Sequence, residues 1–341
     1  MSLHSTGIPV PADPASSERV SADIFNSALA AAGISAAWSI GALDALRDAG
    51  RLDVADFAER HDLDHPALRE VFASLAHVGV VVRDGDAVTP GPHFAAVDRD
   101  KGFFYWLTRG YGELFSELPK LLHNGNRTGQ FYRRDGAAIG VACRENNRVF
   151  FDPTFTPVIE KLEFSAVADL GCGSGERLID IARNRPGVRG IGVDLSESVL
   201  ELAGREVAEA GLADRVTLVR SNATELDASP EFVGVDLVTS FMMAHDFWPR
   251  EACVASFKRI RECFPDVKHF LLADTARVTG VPDGQLPVFS LGFEMAHAVM
   301  GVYLPTLDEW DDVFAESGWR CADRHLIDTP ANSYMFHLVP N

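Results

Sequence analysis

Two short stretches carry side chains that could do chemistry. In "FMMAHDFWPRE", residues 241–251, an apolar run stops at His245 and Asp246 before an aromatic pair and a proline begin a new element. A histidine followed by an aspartate there can be a general base, half of a metal site or a helix cap. In "DLGCGSGE", residues 169–176, Gly171, Gly173 and Gly175 let the backbone turn tightly and approach a ligand closely. Asp194 ends the following apolar run, where a carboxylate can take both hydroxyls of a ribose. A dinucleotide fingerprint would ask for glycine at Glu176 and would not ask for Asp169. An acid inside the loop suits a cationic ligand better than a pyrophosphate.

The elements that must position these residues alternate from Ala166 onward. "AVADLG", "RGIGVDL", "RVTLVRSN", "VDLVTSF" and "HFLLADTA" read as near-continuous apolar strands. "ERLIDIARNR", "SVLELAGREVAEAG" and "REACVASFKRIRECF" read as the amphipathic helices between them. That pattern predicts a parallel sheet covered on both faces, a Rossmann-like doubly wound α/β fold. The end departs from it. After the helix "TLDEWDDVFAES", the strands "WRCADRHLI" and "SYMFHLV" meet at a turn over residues 330–332, an antiparallel hairpin finishing the sheet.

The front half is mainly helical. Residues 1–19 are rich in Pro and Ser and are expected to be a mobile arm. Residues 20–100 read as helices followed by a hairpin at "VVRDGDAVTP", a winged-helix pattern. Pro66 falls where a first helical turn tolerates it. A recognition helix needs basic or amide side chains, and "HPALREVFASLAH" offers one arginine among apolar residues. The module is therefore read as a dimerisation domain. A net charge of −18 also argues against nucleic acid or an anionic membrane as partner. The five cysteines form no CxxC pair, which with the absence of a signal-peptide pattern predicts a reduced, cytoplasmic protein. Residues 101–160 read as a helical connector in which aromatics such as Trp106 and Tyr111 alternate with Arg109, Arg127, Arg133 and Arg134. An aromatic wall beside a guanidinium suits a small carboxylate.

"VADLGCGSG" and "GVDLS" together resemble the first two motifs of the class I S-adenosylmethionine-dependent methyltransferases. The resemblance implies a cofactor cleft bordered by Asp169, Gly171, Gly173, Gly175, Asp194, Leu195 and Phe241. It places the adenine contact after the third strand, at Asn222 and Ala223 of "RSNAT", where the family usually has Asp. An amide oxygen can still accept there. The helical front half narrows the resemblance to dimeric small-molecule enzymes similar to the plant caffeate-type O-methyltransferases. In that group a "HDW"-like motif supplies a general base, and "AHDFW" occupies its place with one residue inserted.

A second histidine refines the resemblance. "LPVFSLGFEMAHAVMG" carries His297 three residues after Glu294, on a segment that closes the substrate pocket in those enzymes. Paired imidazoles would form a partial metal site open to a chelating substrate. The chain thus resembles bacterial metal-dependent α-keto acid β-C-methyltransferases. That group implies His245 and His297 as ligands of one iron or zinc ion and Asp246 beside them. It also implies a substrate of phenylpyruvate or 4-methyl-2-oxovalerate type. Trp106, Arg134, Met242, Phe293 and Val302 would line its pocket, with Tyr111 where the group has a small hydroxyl residue. The metal would stabilise the enolate whose carbon takes the methyl group. Glu294 is expected as a third ligand or a base. Phe289, Phe293, Met295 and Met300 are expected to make the pocket apolar.

Overall fold

The computed structural model describes residues 14–341, with the side chains of residues 14–18 and of Asp283 left aside. The expected mobile arm lies outside the described residues up to residue 13, while the rest of it already belongs to a helix. The chain divides into two compact units, Met1–Gly110 and Tyr111–Asn341.

The first unit holds α1 (Pro14–Ser39), α2 (Ala42–Ala49), β1 (Leu52–Asp53), α3 (Val54–Arg60), α4 (His65–His77), β2 (Val81–Asp84), β3 (Ala87–Pro90) and α5 (Phe94–Tyr105). Asp53 and Asp64 cap α3 and α4, and Pro66 lies in the first turn of α4. The hairpin β2–β3 takes β1 as its third strand, in the order β1-β3-β2. Leu43, Leu46, Phe57, Phe72, Leu75 and Val88 form the core beneath these elements. A π-helical turn, Trp106–Gly110, ends the unit and buries Trp106. By length and composition Arg19–Ser39 could cross a membrane, but Ala30, Ile34 and Ala37 on that helix are buried in the unit's core.

The second unit begins with short helices α6 (Gly112–Ser116) and α7 (Leu118–Leu121), then α8 (Gly136–Asn146) and α9 (Asp152–Ile159). The residues expected as one connector are therefore shared between the units. The alternating part follows as β4 (Ala166–Leu170), α10 (Glu176–Asn184), β5 (Arg189–Asp194), α11 (Glu197–Glu209), β6 (Val216–Arg220), β7 (Leu237–Phe241), α12 (Arg250–Cys263) and β8 (His269–Thr275). It closes with α13 (Ser290–Met300), α14 (Leu307–Glu316), β9 (Trp319–Ile327) and β10 (Ser333–Pro340). The seven strands order as β6-β5-β4-β7-β8-β10-β9. The first five are parallel, and β10 pairs antiparallel with both β8 and β9.

Side chains alternate across the sheet because successive strand residues point to opposite faces. Ala166, Ala168 and Leu170 meet α12 and α14 through Phe257, Phe314 and Trp310. Val167 and Leu237 join Leu178, Ile181 and Val207 on the other face. Two filled cores leave the strand ends as the place for a ligand. In an open parallel sheet that place is the carboxyl edge, at the point where strand order reverses. Here it lies between β4 and β7.

Candidate active site

The glycine loop follows β4 at that switch point. Gly171, Gly173 and Gly175 all have positive φ, at 72°, 54° and 77°. A Cβ on Gly171 would be strained by its φ and would also press on the Met243 side chain at 3.1 Å. Asp194 fastens the loop: one carboxylate oxygen accepts from the Gly173 amide at 3.2 Å and the other from Ser196 at 2.9 Å. Asp169 is buried and accepts from the Thr239 hydroxyl at 2.6 Å. Burial pushes its carboxyl up to about 6, against the opposing pull of Arg177. The Oδ1 of Asn222 takes the amide and hydroxyl of Thr224, capping a short turn that contains Ala223. Leu195 is 62% exposed beside Asp194.

The two histidines come from the turn after β7 and from α13. His245 lies in a 3-10 turn, Ala244–Phe247, after β7. It caps no helix, since α12 begins after Pro249. His297 lies on α13, and the two buried rings are 4.8 Å apart and nearly perpendicular. Phe293 packs on both, at 5.4 Å from His245 and 4.1 Å from His297. Met242 and Phe289 flank this cluster with φ of 51° and 76°, conformations costly to non-glycine residues.

Each imidazole has its Nδ1 engaged. The Nδ1 of His245 is 2.8 Å from Asp274 Oδ1, and that of His297 donates to the Phe293 carbonyl at 2.7 Å. Each Nε2 is then the nitrogen left for a ligand. Burial would depress His245, but Asp274 and then Asp246 outweigh it and hold the imidazole above its usual range. His297 is pushed down to about 3, chiefly by burial and next by His245. It is neutral across the physiological range.

Arg134 belongs to the same neighbourhood. Its guanidinium donates to the Tyr111 hydroxyl at 2.9 Å and acts on both histidines and Asp246. Tyr111 is buried and feels Arg134, Cys143 and Asp246 in turn. Five groups thus converge within the second unit: His245, His297, Asp246, Tyr111 and Arg134. Val302 follows directly, its amide bonded to the His297 carbonyl at 2.8 Å.

Other expected residues lie elsewhere. The Glu294 carboxylate takes the Val278 amide at 2.9 Å and does not accompany His297. Met295 is 41% exposed on the outer side of α13, so the apolar lining there falls to Phe293 and Met300. Arg127 donates to the carbonyls of Leu121, Ala298 and Val299, fastening the end of α13. Asp274 was not anticipated. The signal was its position near the carboxyl end of a parallel strand adjacent to the histidine's own. Cys143 carried no signal, being a lone thiol on a helix.

Two imidazoles whose Nδ1 atoms are fixed by a carboxylate and a carbonyl fit a transition ion, for this is how ligating histidines are oriented. Among the described residues no group of three or more His, Cys, Asp or Glu is set to hold a metal. The pair would therefore supply two ligands and leave the remainder to other molecules.

A glycine-loop cleft on a doubly wound sheet closed by an antiparallel hairpin defines a Rossmann-like ligand-binding domain. A family model for a methyltransferase domain matches residues 167–264. Methyltransferase ungE' of Aspergillus campestris is 43% identical over 93% of this chain and 96% of its own. Indolepyruvate C-methyltransferase of Streptomyces griseus is 28% identical over 93% and 94%. The solved structure of mitomycin 7-O-methyltransferase MmcR superposes with a TM-score of 0.66 at 19% identity, covering 96% of this chain and 98% of that one. The chain belongs to the S-adenosylmethionine-dependent methyltransferases of class I.

Proposed function

We propose that the chain methylates the β-carbon of an α-keto acid of phenylpyruvate or 4-methyl-2-oxovalerate type. In this reading one iron or zinc ion is held by the Nε2 atoms of His245 and His297. The carrying observation is the pair of buried imidazoles 4.8 Å apart with both Nδ1 atoms committed. A base-catalysed methyl transfer needs one imidazole. A second one, too weakly basic to take up a proton, still has an Nε2 lone pair to give. The name of the Streptomyces relative supports the substrate class, since indolepyruvate is an aryl α-keto acid.

Bound there, the metal supplies Lewis acidity to a chelating keto carboxylate. The chain's own residues do the rest. Asp274 keeps the His245 tautomer and ring orientation. Arg134 presents a planar fork to the substrate carboxylate and is held in place by its hydrogen bond to the Tyr111 hydroxyl. Asp246 acts on His245, Tyr111 and Arg134, so it borders the same space and is the carboxylate available for the β-proton. Phe293 and Met300 exclude water around the side chain of the acid. The glycine loop, Asp169, Asp194, Asn222 and Phe241 align the sulfonium methyl with the carbon, an orientation effect. Trp106, in the first unit, is assigned to the substrate on the resemblance alone.

The setting we infer is natural-product biosynthesis in the cytoplasm by a homodimer. The exposed Val20, Ile24, Phe25 and Leu29 along α1 supply an apolar face for dimerisation.

A second reading has support of its own. The Asp274–His245 pair is also the arrangement of an oriented general base, which would suit O-methylation of a phenol without metal. Mass spectrometry of reactions with keto acids and phenols, with and without a chelator, separates the two. A keto acid methylated on carbon only when metal is present is the expected result. A methylated phenol, or turnover indifferent to the chelator, would replace the first reading with the second.

A further inference from the structure

Arg177 is the second residue of α10, in the first turn after the glycine loop. Aligned peptide dipoles make that end of a helix positive, so a cation there is unfavourable unless something else requires it. The side chain is only 10% exposed. Its guanidinium carbon lies 3.3 Å from the ring centroid of Phe241 and 4.8 Å from that of Phe155. Phe241 is the last residue of β7, at the carboxyl edge of the sheet.

The hydrogen bonding of this buried cation is thin. A guanidinium has five N–H donors, and Arg177 directs Nη1 to Asp152 at 3.2 Å. Other arginines in the unit serve the main chain instead. Arg215 bonds the carbonyls of Ala182, Arg185 and Pro186, and Arg185 those of Ile159 and Leu162. Arg177 bonds no carbonyl among the described residues. It stands near Asp169, on which its charge acts, yet the two are not hydrogen-bonded. A positive and a negative group therefore sit apart on the rim of the same loop.

The amino-acid end of the cofactor carries an ammonium and a carboxylate. Asp169 suits the ammonium. The carboxylate would meet repulsion from Asp169 and Asp194 without a cation beside it, and Arg177, though ion-paired with Asp152 at 3.2 Å through Nη1, has further N–H donors. We propose that Arg177, stacked on Phe241, binds the α-carboxylate of S-adenosylmethionine through its remaining N–H edge. It is thus a cofactor-binding residue that the glycine-loop motif does not include.

Calorimetry with two ligands tests this. S-adenosylhomocysteine carries the carboxylate, and 5′-methylthioadenosine lacks the whole amino-acid end. Arg177→Gln should weaken the first about 10- to 100-fold, the range for a lost hydrogen bond to a charged group. It should leave the second unchanged within roughly twofold. Arg177→Lys should recover part of the loss and serves as the variant if the glutamine form does not fold. Unchanged binding of S-adenosylhomocysteine would overturn the proposal. Equal weakening of both ligands would also overturn it, because Arg177 would then only brace Phe241 and the loop.

Discussion

Asp274 receives two hydrogen bonds from His245, one from the ring Nδ1 at 2.8 Å and one from the backbone amide at 2.9 Å. The first sets the tautomer and the second sets the turn that carries the ring. Because Phe241 pairs with Ala273, Asp274 is the next residue of β8 and lies against the turn after β7. It is fully buried.

Asp274→Asn should keep the shape and lose the charge. An outer partner of a ligating or catalytic histidine contributes roughly 10–100-fold to affinity or activity. Turnover should fall by that factor while S-adenosylhomocysteine binding, read by calorimetry, stays put. Unaltered turnover would remove Asp274 from the site's chemistry.

His297→Gln separates ligand from core residue. If the pair holds metal, the variant should copurify with far less of it by elemental analysis and lose methyl transfer, with its melting temperature shifted by only a few degrees. Full activity with the metal gone would return His297 to a packing role.

Asp169 offers a test by pH. Its folded carboxyl is raised from 3.8 to about 6, so the folded chain binds the proton more tightly than the unfolded one. Stability therefore declines as pH rises from 3.8 through 6, and the full cost of the buried charge is present above that. Asp169→Asn should gain on the wild type across this window and lose its advantage below it. Cofactor binding runs the other way. The neutral acid attracts a cationic ligand less, so wild-type affinity should fall as pH drops through about 6, and the variant's should not. Denaturant melts and calorimetry at several pH values measure both.

Phe25→Asp places a charge in the exposed apolar face of α1. A dimer built on that face should become a monomer by light scattering, with the second unit's affinity for S-adenosylhomocysteine unchanged. A variant that stays dimeric would move the interface elsewhere.

Much of this was legible in the chain itself. The order of strands and helices follows from runs of apolar residues whose period differs between the two, and the glycine loop from residues that must adopt positive φ. The closing hairpin was equally plain, because its strands Trp319–Ile327 and Ser333–Pro340 flank a short turn. Those are local properties, written in consecutive residues. What only the tertiary structure decided is pairing between distant segments. Asp274 reaches His245 through the register of two parallel strands, and His297 reaches it through the path of the chain from β8 to α13. Glu294 shares a helix with His297, yet it turns to the part-buried Val278 amide, from whose N–H it accepts at 2.9 Å. Arg177 looked like any charged residue opening a helix until folding laid it on Phe241. Sequence spacing determines which side chains share an element. Sheet register and packing decide which of them face one another.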